Sequence, residues 1–457
     1  MFPSSVSVGL LLSHAVATVQ AQTSGSFTVL TYNVAGLPEI LSSGNPEVNT
    51  PLISSRLKPF NVINVQEDFN YHATLYASDN HAFRTPTSGG VPFGDGLNTL
   101  SDFSYIDLER VKWDKCNSND GDCLTPKGFS FARVRVADSV WVDVYNLHTD
   151  AGSDDGDRTA RASNLAQVSA YIQSHSQGMP VVVMGDTNSR YTSDVDSDSL
   201  HSLIDVGGFT DSWVKNIRGG SFPTKGSTAL TCPFPFPSGT SQATMNACEV
   251  VDKIFVRGSE VVQLVPASYR TANNDFVNST GAPLSDHYPQ STVAQWTLSN
   301  SLRLGDTAGG PHGDMFNDIP ALLAGKSVPK VSSITVRAAD RVDGISVSVT
   351  YPDGNTASAT HGGTGGTAQT LTLASGERIT QVQTCTGQKD ANTRVFYLNF
   401  VTNQGRSFSG GKQTADCQTA SAPSGTGAGG KAWGLVAFWG RQGDEMDRLG
   451  AIWGAGY

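Results

Sequence analysis

Short runs of β-branched and other apolar residues recur through the first three hundred residues, and most of them end in a polar side chain. Five of these runs occupy residues 27–33, 62–66, 140–147, 181–184 and 253–256. Runs of this length and composition are typical of buried strands. Residues 158–175 instead carry apolar side chains at helical spacing. The alternation of strands and helices predicts β-sheets that are covered by helices.

Charge and hydropathy exclude two classes of protein. The chain of 457 residues holds 31 Lys and Arg against 41 Asp and Glu, a formal net charge of −10. That balance excludes a basic protein that coats nucleic acid. The sequence contains no run of about 18 apolar residues, so it predicts no transmembrane segment.

The chain divides near residue 300. Residues 22–300 have a net charge of −11, whereas residues 301–457 have a net charge of +1 and are rich in Gly, Ser, Thr and Val. Residues 305–311 are rich in turn-forming residues and mark the boundary. Beyond them, strand-like segments at 334–337, 344–351 and 396–401 alternate with turns, and no long helical pattern appears. We therefore expect a second, all-β domain built as a small sandwich or a prism.

The N-terminus and the cysteines point to secretion. Residues 1–21 contain no charged side chain and carry an apolar stretch followed by small residues, so we expect a cleaved signal peptide. Six cysteines fall in three sequence-near pairs, which suits an oxidising compartment. Fifteen connectivities are formally open. We expect nearest-neighbour pairing, 116–123, 232–248 and 385–417, in an extracellular protein.

Polar side chains at the strand ends carry the functional argument. They are Asn33, Glu67, His148, Asp186, Asn188, Asp252, Asp286 and His287. Strand ends bring residues that are distant in sequence to one rim, where oxygen ligands suit Mg²⁺ and imidazoles can act on a phosphate oxygen. Each residue alone has a structural explanation, such as a turn cap, an Asx turn or a core histidine. The joint pattern favours metal-assisted phosphoester hydrolysis.

The spacing and order of these segments resemble the endonuclease/exonuclease/phosphatase superfamily. The matching segments are 31–34, 65–67, 146–148, 184–188, 252–255 and 285–287, in that family's order. The resemblance covers nearly all of residues 22–300. It implies an α/β four-layered sandwich, with two packed β-sheets flanked by helices, and a metal-dependent phosphoric diester hydrolase.

The resemblance also implies roles for the individual residues. Glu67 would be the main Mg²⁺ ligand, with Asn33 beside it and Asp286 assisting; Mn²⁺ and Ca²⁺ are the alternative ions. Asp186 would orient or deprotonate the attacking water, and Asn188 would hold a phosphate oxygen. His148 and His287 would stabilise the pentacovalent phosphate, with His287 also assisting the leaving group. Asp252 would set the tautomer of His287.

Further segments are similar to the sphingomyelinase-like branch of the superfamily. These are residues 33–38, 93–101, 127–129 and 285–289. They imply phospholipase C-type action on sphingomyelin or a related phospholipid, with peripheral contact to a membrane. A secreted Mg²⁺-dependent nuclease is the alternative, although a domain at −11 lacks the cationic field that attracts nucleic acid. A lectin with an inactive first domain is a further alternative.

Residues 305–457 resemble a jacalin-type lectin domain, which is a β-prism. The resemblance rests on a Gly-rich opening, the segments 361–366 and 434–443, and a Gly-x-x-x-Asp loop at 443–447. It implies a glycan site in which Asp447 accepts hydrogen bonds from sugar hydroxyls and the amides of Asp444 and Glu445 donate. Gly313 would allow the sugar to approach closely. Asp314 stands where the family has a second glycine, and packing or protein contact is the alternative role for the domain.

Overall fold

The computed structural model describes residues 22–42 and 44–457, so the expected signal peptide lies outside the described residues. The N-terminal domain contains thirteen strands in this part of the chain. They are β1 (Ser24–Asn33), β2 (Val62–Gln66), β3 (Phe83–Arg84), β4 (Asn98–Ser101), β5 (Tyr105–Lys112), β6 (Gly128–Ala137), β7 (Val140–His148), β8 (Val181–Asp186), β9 (Thr210–Asp211), β10 (Asp252–Arg257), β11 (Val262–Pro266), β12 (Arg270–Thr271) and β13 (Gln290–Leu298).

These strands form two sheets. The first has the order β11-β13-β1-β2-β4-β3, with β12 also paired to β13. The second has the order β5-β6-β7-β8-β10-β9. In each sheet one central pair is parallel, β1 with β2 and β7 with β8. Parallel neighbours end at the same edge of a sheet, so both sheets bring functional side chains to their carboxyl edges.

Six α-helices accompany the sheets in the described residues. They are α1 (Pro46–Ser54), α2 (His72–Ala77), α3 (Asp155–His175), α4 (Asp196–Gly207), α5 (Ser212–Ile217) and α6 (Gln242–Ala247). The longest, α3, starts three residues before the predicted helix, because Asp154 and Asp157 form a reciprocal capping box at its first turn. None of the helices in the described part of the chain has the length and apolar content that a membrane crossing requires.

The buried side chains define the layers of the N-terminal domain. Ile53 of α1 and neighbouring residues pack on the outer face of the first sheet. Leu165 and Val168 of α3 pack on the outer face of the second. Alternate residues, such as Val29 of β1 and Val182 of β8, meet between the sheets. The predicted four-layered α/β sandwich is therefore confirmed.

The C-terminal domain is built from strands in three four-stranded sheets. The strands are β14 (Leu302–Gly309), β15 (Asp314–Asn317), β16 (Lys330–Ala338), β17 (Val342–Thr350), β18 (Thr356–Gly362), β19 (Thr367–Thr372), β20 (Ile379–Lys389), β21 (Asn392–Thr402), β22 (Ser407–Gly411), β23 (Asp416–Ser421), β24 (Trp433–Gln442) and β25 (Met446–Ala455). The sheets have the orders β14-β25-β24-β15, β18-β17-β16-β19 and β22-β21-β20-β23. Three antiparallel sheets around one core confirm the β-prism.

One expectation about this domain was wrong. Residues 305–311 were expected to be a turn-rich boundary segment, but most of them belong to strand β14, which pairs with β25. A register shift between Leu304 and Thr307 lets the strand bend there. Glycine tolerates such an irregularity, so the Gly-rich composition here marks a bulged strand instead of a loop.

The disulfides follow the expected pairing. Cys116 is bonded to Cys123, Cys232 to Cys248 and Cys385 to Cys417. The first two close loops beside the carboxyl edges of the N-terminal sheets. The third joins β20 to β23 within one sheet of the prism.

Candidate active site

Three predicted residues lie side by side across the second sheet. His148 is directly opposite Asp186 in the parallel pair β7–β8, and Asp186 is opposite Asp252 in the antiparallel pair β8–β10. All three side chains are buried. The Nε2 atom of His148 lies 3.5 Å from Oδ2 of Asp186. Strand register alone therefore lines up one imidazole and two carboxylates, with Asp186 in the middle.

The first sheet supplies the opposing residues. Asn33 ends β1 opposite Gln66, the last residue of β2, and Glu67 follows directly. The Nδ2 atom of Asn33 donates to Oε1 of Glu67 at 3.0 Å and to Oδ2 of Asp186 at 3.3 Å. The buried Asn33 amide thus joins the two sheets at the centre of the site.

His287 closes the site from a loop. Ser285 anchors this loop by donating from Oγ to the carbonyl oxygen of Asn33 at 2.7 Å. The Nδ1 atom of His287 is 2.9 Å from Oδ2 of Asp252, and Nε2 is 3.6 Å from Oδ2 of Asp186. The carboxylate of Asp252 therefore holds the orientation of the His287 ring, which leaves Nε2 facing the Asp186 carboxylate.

The two imidazoles favour opposite protonation states. Burial, with the nearby positive charges of Lys127 and His287, lowers the pKa of His148 well below its ordinary value. Burial also opposes the charged form of His287, but the carboxylates of Asp252 and Asp186 outweigh it and raise the pKa of His287 well above its ordinary value. The surroundings therefore favour a neutral His148 ring and a cationic His287 ring.

Lys127 is a site residue to which the sequence assigned no role. It begins the turn into β6, and its Nζ atom lies 3.3 Å from Nε2 of His148 and also contacts the carboxylate of Asp122. The ammonium can only donate, so Nε2 of His148 accepts and the ring is neutral at that nitrogen. The signal in the sequence was the segment Lys127–Phe129, which was used only to choose the branch of the superfamily.

Two carboxylates of the site, Glu67 and Asp186, are suited to a cation. Burial raises the pKa of Glu67 and the pKa of Asp186. A carboxylate that is poorly solvated is stabilised when a divalent cation supplies the compensating charge. Oxygen-rich donors of this kind fit a hard ion such as Mg²⁺. The chemistry of the donor set therefore fits the expected metal.

A second cluster, beside the predicted metal ligands, also offers ligand atoms for an ion. Ligand atoms of Asp186, Asp252 and His287 lie within 4.8 Å of one another. Within this cluster, Asp186 also accepts a hydrogen bond from Asn33, so it connects the cluster to the predicted ligands Asn33 and Glu67.

Backbone conformation at two site residues is unusual. Glu67 has a φ of 58° and Asn188 a φ of 46°, both in the left-handed region that most side chains avoid. Asn188 is held there because its amide nitrogen donates to Oδ1 of Asp186 at 2.9 Å and its Nδ2 atom donates to the carbonyl oxygen of Thr149 at 3.2 Å. Such conformations concentrate at functional sites, where surrounding contacts enforce them.

A glycine in β8 and a pair of buried side-chain amides support the geometry of the site. A Cβ atom at Gly185 would overlap the carbonyl oxygen of Leu147, so only glycine lets β7 and β8 approach this closely. Between the two sheets, Nε2 of Gln66 donates to Oδ1 of Asn146 at 2.7 Å. This contact fixes β2 to β7 one residue before Glu67 and two residues before His148. The remaining predicted ligand, Asp286, is exposed at the rim.

Comparison with known families agrees with both domains. Residues 45–224 match the family model for Endonuclease/Exonuclease/phosphatase family 2, and residues 306–452 match the jacalin-like lectin domain. The chain combines a domain of the endonuclease/exonuclease/phosphatase family with a jacalin-like lectin domain. The two resemblances drawn from the sequence are confirmed.

Curated relatives bear on the branch of the superfamily that the N-terminal domain resembles. A curated protein from Mycobacterium tuberculosis (strain ATCC 25618 / H37Rv), named sphingomyelinase, is 44% identical over 275 residues, which cover 58% of this chain and 52% of the relative. The chain thus spans about half the length of the curated relatives that it matches. The sphingomyelinase-like branch is supported at the level of the domain.

Solved structures resemble each half of the chain. Sphingomyelinase C from Streptomyces griseocarneus is 18% identical, with a TM-score of 0.41 over 59% of this chain and 99% of its own. AcmJRL, a mannose binding jacalin related lectin from Ananas comosus, is 24% identical, with a TM-score of 0.29 over 34% of this chain and 98% of its own.

Two of the predicted glycan-binding residues in the jacalin-like domain contact arginine side chains of the same domain. The buried carboxylate of Asp447 contacts the guanidinium of Arg394, and Glu445 forms a two-bond pair with Arg341 at 2.6 and 2.7 Å. A Cβ atom at Gly313 would overlap the Asp447 carboxylate. The Asp447 carboxylate therefore lies against Gly313, while Asp444 stays exposed on the loop.

Proposed function

We propose that the N-terminal domain hydrolyses a phosphodiester by a Mg²⁺-dependent, phospholipase C-type reaction on sphingomyelin or a related phospholipid. The observation that carries the proposal is the convergence of Asn33, Glu67, Asp186, His148 and His287 from two sheets and a loop onto one rim. The 44% identity to relatives named sphingomyelinase supports the choice of substrate.

Asp186 is suited to accept the proton of the attacking water. Its Oδ2 atom lies within 3.6 Å of both imidazoles, and burial raises its pKa toward the range useful for a general base. His287, held cationic by Asp252, stabilises negative charge on the phosphate and can donate a proton to the leaving lipid alcohol. Neutral His148 adds a second contact on the phosphate side. Water adds to phosphorus, the bond to the lipid oxygen breaks, and the phosphorylated headgroup is released.

Glu67, Asn33 and Asp286 would hold the metal at the edge of the first sheet. A bound Mg²⁺ supplies charge neutralisation on the phosphate and lowers the pKa of a coordinated water. Mn²⁺ and Ca²⁺ are the alternative ions. Asn33, which contacts both Glu67 and Asp186, positions the ligand carboxylate relative to the base.

We infer that the protein is secreted and that its jacalin-like domain binds glycans. The three disulfides suit an oxidising compartment. A glycan site on the second domain would raise the local concentration of the enzyme at a glycosylated cell surface. The exposed loop at residues 443–444 is the part of the expected glycan site that a ligand can reach.

The test is headgroup release from liposomes that contain sphingomyelin, with Mg²⁺ and with EDTA. We expect release that needs the metal and falls about a thousandfold in His287→Ala and in Glu67→Ala, since both side chains act at the reacting phosphate. Retained release in both folded variants would overturn the assigned site. Metal-dependent cleavage of plasmid DNA without headgroup release would instead favour the nuclease alternative.

A further inference from the structure

A cavity of about 400 Å³ lies where the two domains meet. Its walls come mainly from the turn between β6 and β7 in the N-terminal domain and from strands β14, β20, β23 and β25 of the prism. A cavity of this volume is in the range that holds small-molecule ligands. Its lining includes no residue of the candidate active site or of the loop 443–447, so it is separate from both.

Arg303 of β14 lines this cavity and has no counter-ion. Its guanidinium forms no ion pair with any carboxylate in the part of the chain that the structure describes. Nη1 donates to the carbonyl oxygen of Leu302 at 3.0 Å, and the guanidinium lies over the ring of Trp433, 5.1 Å from its centre. These contacts hold the side chain in place. A guanidinium has five N–H donors, so most of those of Arg303 are available to a ligand.

The second arginine of the cavity already has partners. Arg135 donates to both carboxylate oxygens of Asp306 at 2.8 Å and to Oδ1 of Asp138 at 2.6 Å. The hydrogen bonds to Asp306 and Asp138 raise the pKa of Arg135, whereas burial without a counter-charge lowers the pKa of Arg303. The uncompensated positive charge of the cavity therefore belongs to Arg303, and a bound anion would compensate it.

A buried indole N–H lies in the same wall. Trp453 is the direct partner of Arg303 in the β14–β25 pairing, and only 2% of the residue is exposed. Its Nε1 atom has no hydrogen-bond acceptor among the described residues. A Cβ atom at Gly305 would lie 3.2 Å from Nε1, so the absence of a side chain there leaves this donor uncovered. A buried donor without an acceptor costs free energy that a ligand oxygen would recover.

Hydroxyl groups add further polar atoms to the cavity. They belong to Ser139 of the β6–β7 turn, Thr384 of β20, and Thr419 and Ser421 of β23. Within the described ranges, none of these four side chains forms a hydrogen bond. Two small apolar side chains, Val382 and Ala420, lie between them. A few polar groups on a partly apolar wall are typical of a ligand site.

We propose that this cavity, here called the junction site, binds a saccharide that carries a carboxylate. The planar guanidinium of Arg303 matches a carboxylate, because it can donate two parallel hydrogen bonds to it. The indole of Trp453 and the hydroxyl groups pair with sugar oxygens, while the apolar side chains contact the C–H face of the ring. The inference is independent of the proposed hydrolysis and of glycan binding at the loop 443–447.

The size and the lining of the junction site argue against simpler ligands. A single inorganic anion would fill a small part of the 400 Å³ and would leave the four hydroxyl groups unpaired. An acyl chain would bury those hydroxyl groups and the Trp453 N–H without partners, which costs free energy. A carboxylated pyranose provides the anion, the hydroxyl groups and the apolar ring face together.

The experiment uses glycosides with and without the carboxylate. Methyl β-D-glucuronide and the methyl α-glycoside of N-acetylneuraminic acid carry it, and methyl β-D-glucoside is the neutral counterpart of the first. Their binding to the full chain is measured by titration calorimetry, with inorganic phosphate as a further probe. Arg303→Gln removes the charge. The control is Arg218→Gln, because Arg218 also lies over a tryptophan, Trp213, at 5.3 Å, and forms no ion pair in the described part of the chain.

A second variant fills the cavity from its edge. Ser421 is exposed and lines the junction site, so Ser421→Tyr narrows the cavity without a change in the core. This variant tests the site even if Arg303→Gln does not fold. Thermal unfolding checks the fold of all three variants.

We expect the unaltered protein and Arg218→Gln to bind at least one carboxylated glycoside at least tenfold more tightly than the neutral glucoside. Arg303→Gln and Ser421→Tyr should each weaken that binding at least tenfold, and the glycoside that binds identifies a uronic or a sialic acid. Equal affinity for the charged and neutral glycosides would overturn the inference. So would folded junction variants that bind like Arg218→Gln, or phosphate that binds as tightly as either glycoside, since the cavity would then be a simple anion site.

Discussion

At the scale of single residues, Lys127 is the group that the site adds to the expected set. Its ammonium lies next to His148 and helps burial to lower the pKa of that imidazole. We expect Lys127→Met to lower kcat about a hundredfold, because the proposed active site loses a positive charge beside His148. Thermal unfolding of the variant checks that the fold is retained.

A pH profile separates this role from a structural one. Without Lys127 the pKa of His148 moves back toward the ordinary value, so the ring gains a proton as the pH falls. On acidification the variant should therefore begin to lose further activity at a higher pH than the unaltered protein, in which burial and Lys127 together disfavour protonation of His148. Lys225→Met, which removes a surface lysine paired with Asp198, serves as the control. Parallel pH profiles for the two variants would contradict the role of Lys127.

The polar side chains at the strand ends were predictable from the sequence. The contacts between these side chains follow from the way the strands pair. His148, Asp186 and Asp252 each end or begin an apolar run, so the sequence placed them at one edge. The position of Lys127 was not predictable in the same way, because it precedes its strand and reaches the site through a disulfide-closed turn. Side-chain direction from a turn depends on tertiary packing, which no local pattern encodes.

At the scale of elements, the apolar runs predicted the strands well, whereas glycines led to a wrong prediction for β14. Strand β2 has the expected bounds, and β7 ends one residue later than expected. Strand β14 was taken for a boundary because Gly305 and Gly309 resemble turn signals. Its pairing with β25 depends on residues more than a hundred positions away, so composition alone could not reveal it.

The glycan loop between β24 and β25 shows the same limit. The Gly-x-x-x-Asp pattern was visible in the sequence, but the partner of Asp447 comes from β21. Arg394 contacts Oδ1 of the Asp447 carboxylate, so the guanidinium competes with a sugar hydroxyl for that oxygen. We expect Arg394→Ala to bind a neutral-glycan array about tenfold more tightly than the unaltered protein, since a charged hydrogen-bond acceptor is released.

Lys412→Ala, which removes an exposed cation that follows β22, provides the matched control. Its array binding should equal that of the unaltered protein. If the folded Arg394→Ala variant binds glycans no better than Lys412→Ala, Asp447 is a structural residue and the glycan site lies elsewhere.

At the scale of the whole molecule, the two domains share one core. Trp141 of β7 meets Trp439 of β24 edge to face, with ring centroids 5.5 Å apart. The apolar cluster between the N-terminal sheets continues without a break into the prism. Neither feature was predictable, because the two halves carry separate family patterns and no motif describes their contact.

A buried ionic cluster crosses the same interface. Asp107 of β5 accepts from Nε of Arg441 at 2.7 Å and from Nη1 of Arg448 at 2.6 Å. Arg441 also donates to Glu109 at 2.7 Å. Arg441 and Arg448 are direct partners across β24 and β25, just below the loop 443–447. The interface is therefore apolar at its centre and ionic beside the glycan loop.

This cluster predicts how the domains unfold. Because the core is shared, we expect the unaltered protein to show a single calorimetric transition. Asp107→Ala leaves two buried guanidinium groups without their shared carboxylate, and removing one partner of a buried ionic contact costs about 3–5 kcal/mol. The variant should unfold at a lower temperature, with the two domains separating into two transitions.

The control is an interface pair that is exposed to solvent. Asp306 of β14 pairs with Arg135 of β6, and their side chains are 47% and 31% exposed. Asp306→Ala should change the stability by less than about 1 kcal/mol, because water and salt screen the pair. If Asp107→Ala and Asp306→Ala unfold at the same temperature and in one transition, the buried cluster does not couple the domains, and the continuous apolar core alone joins the catalytic domain to the lectin.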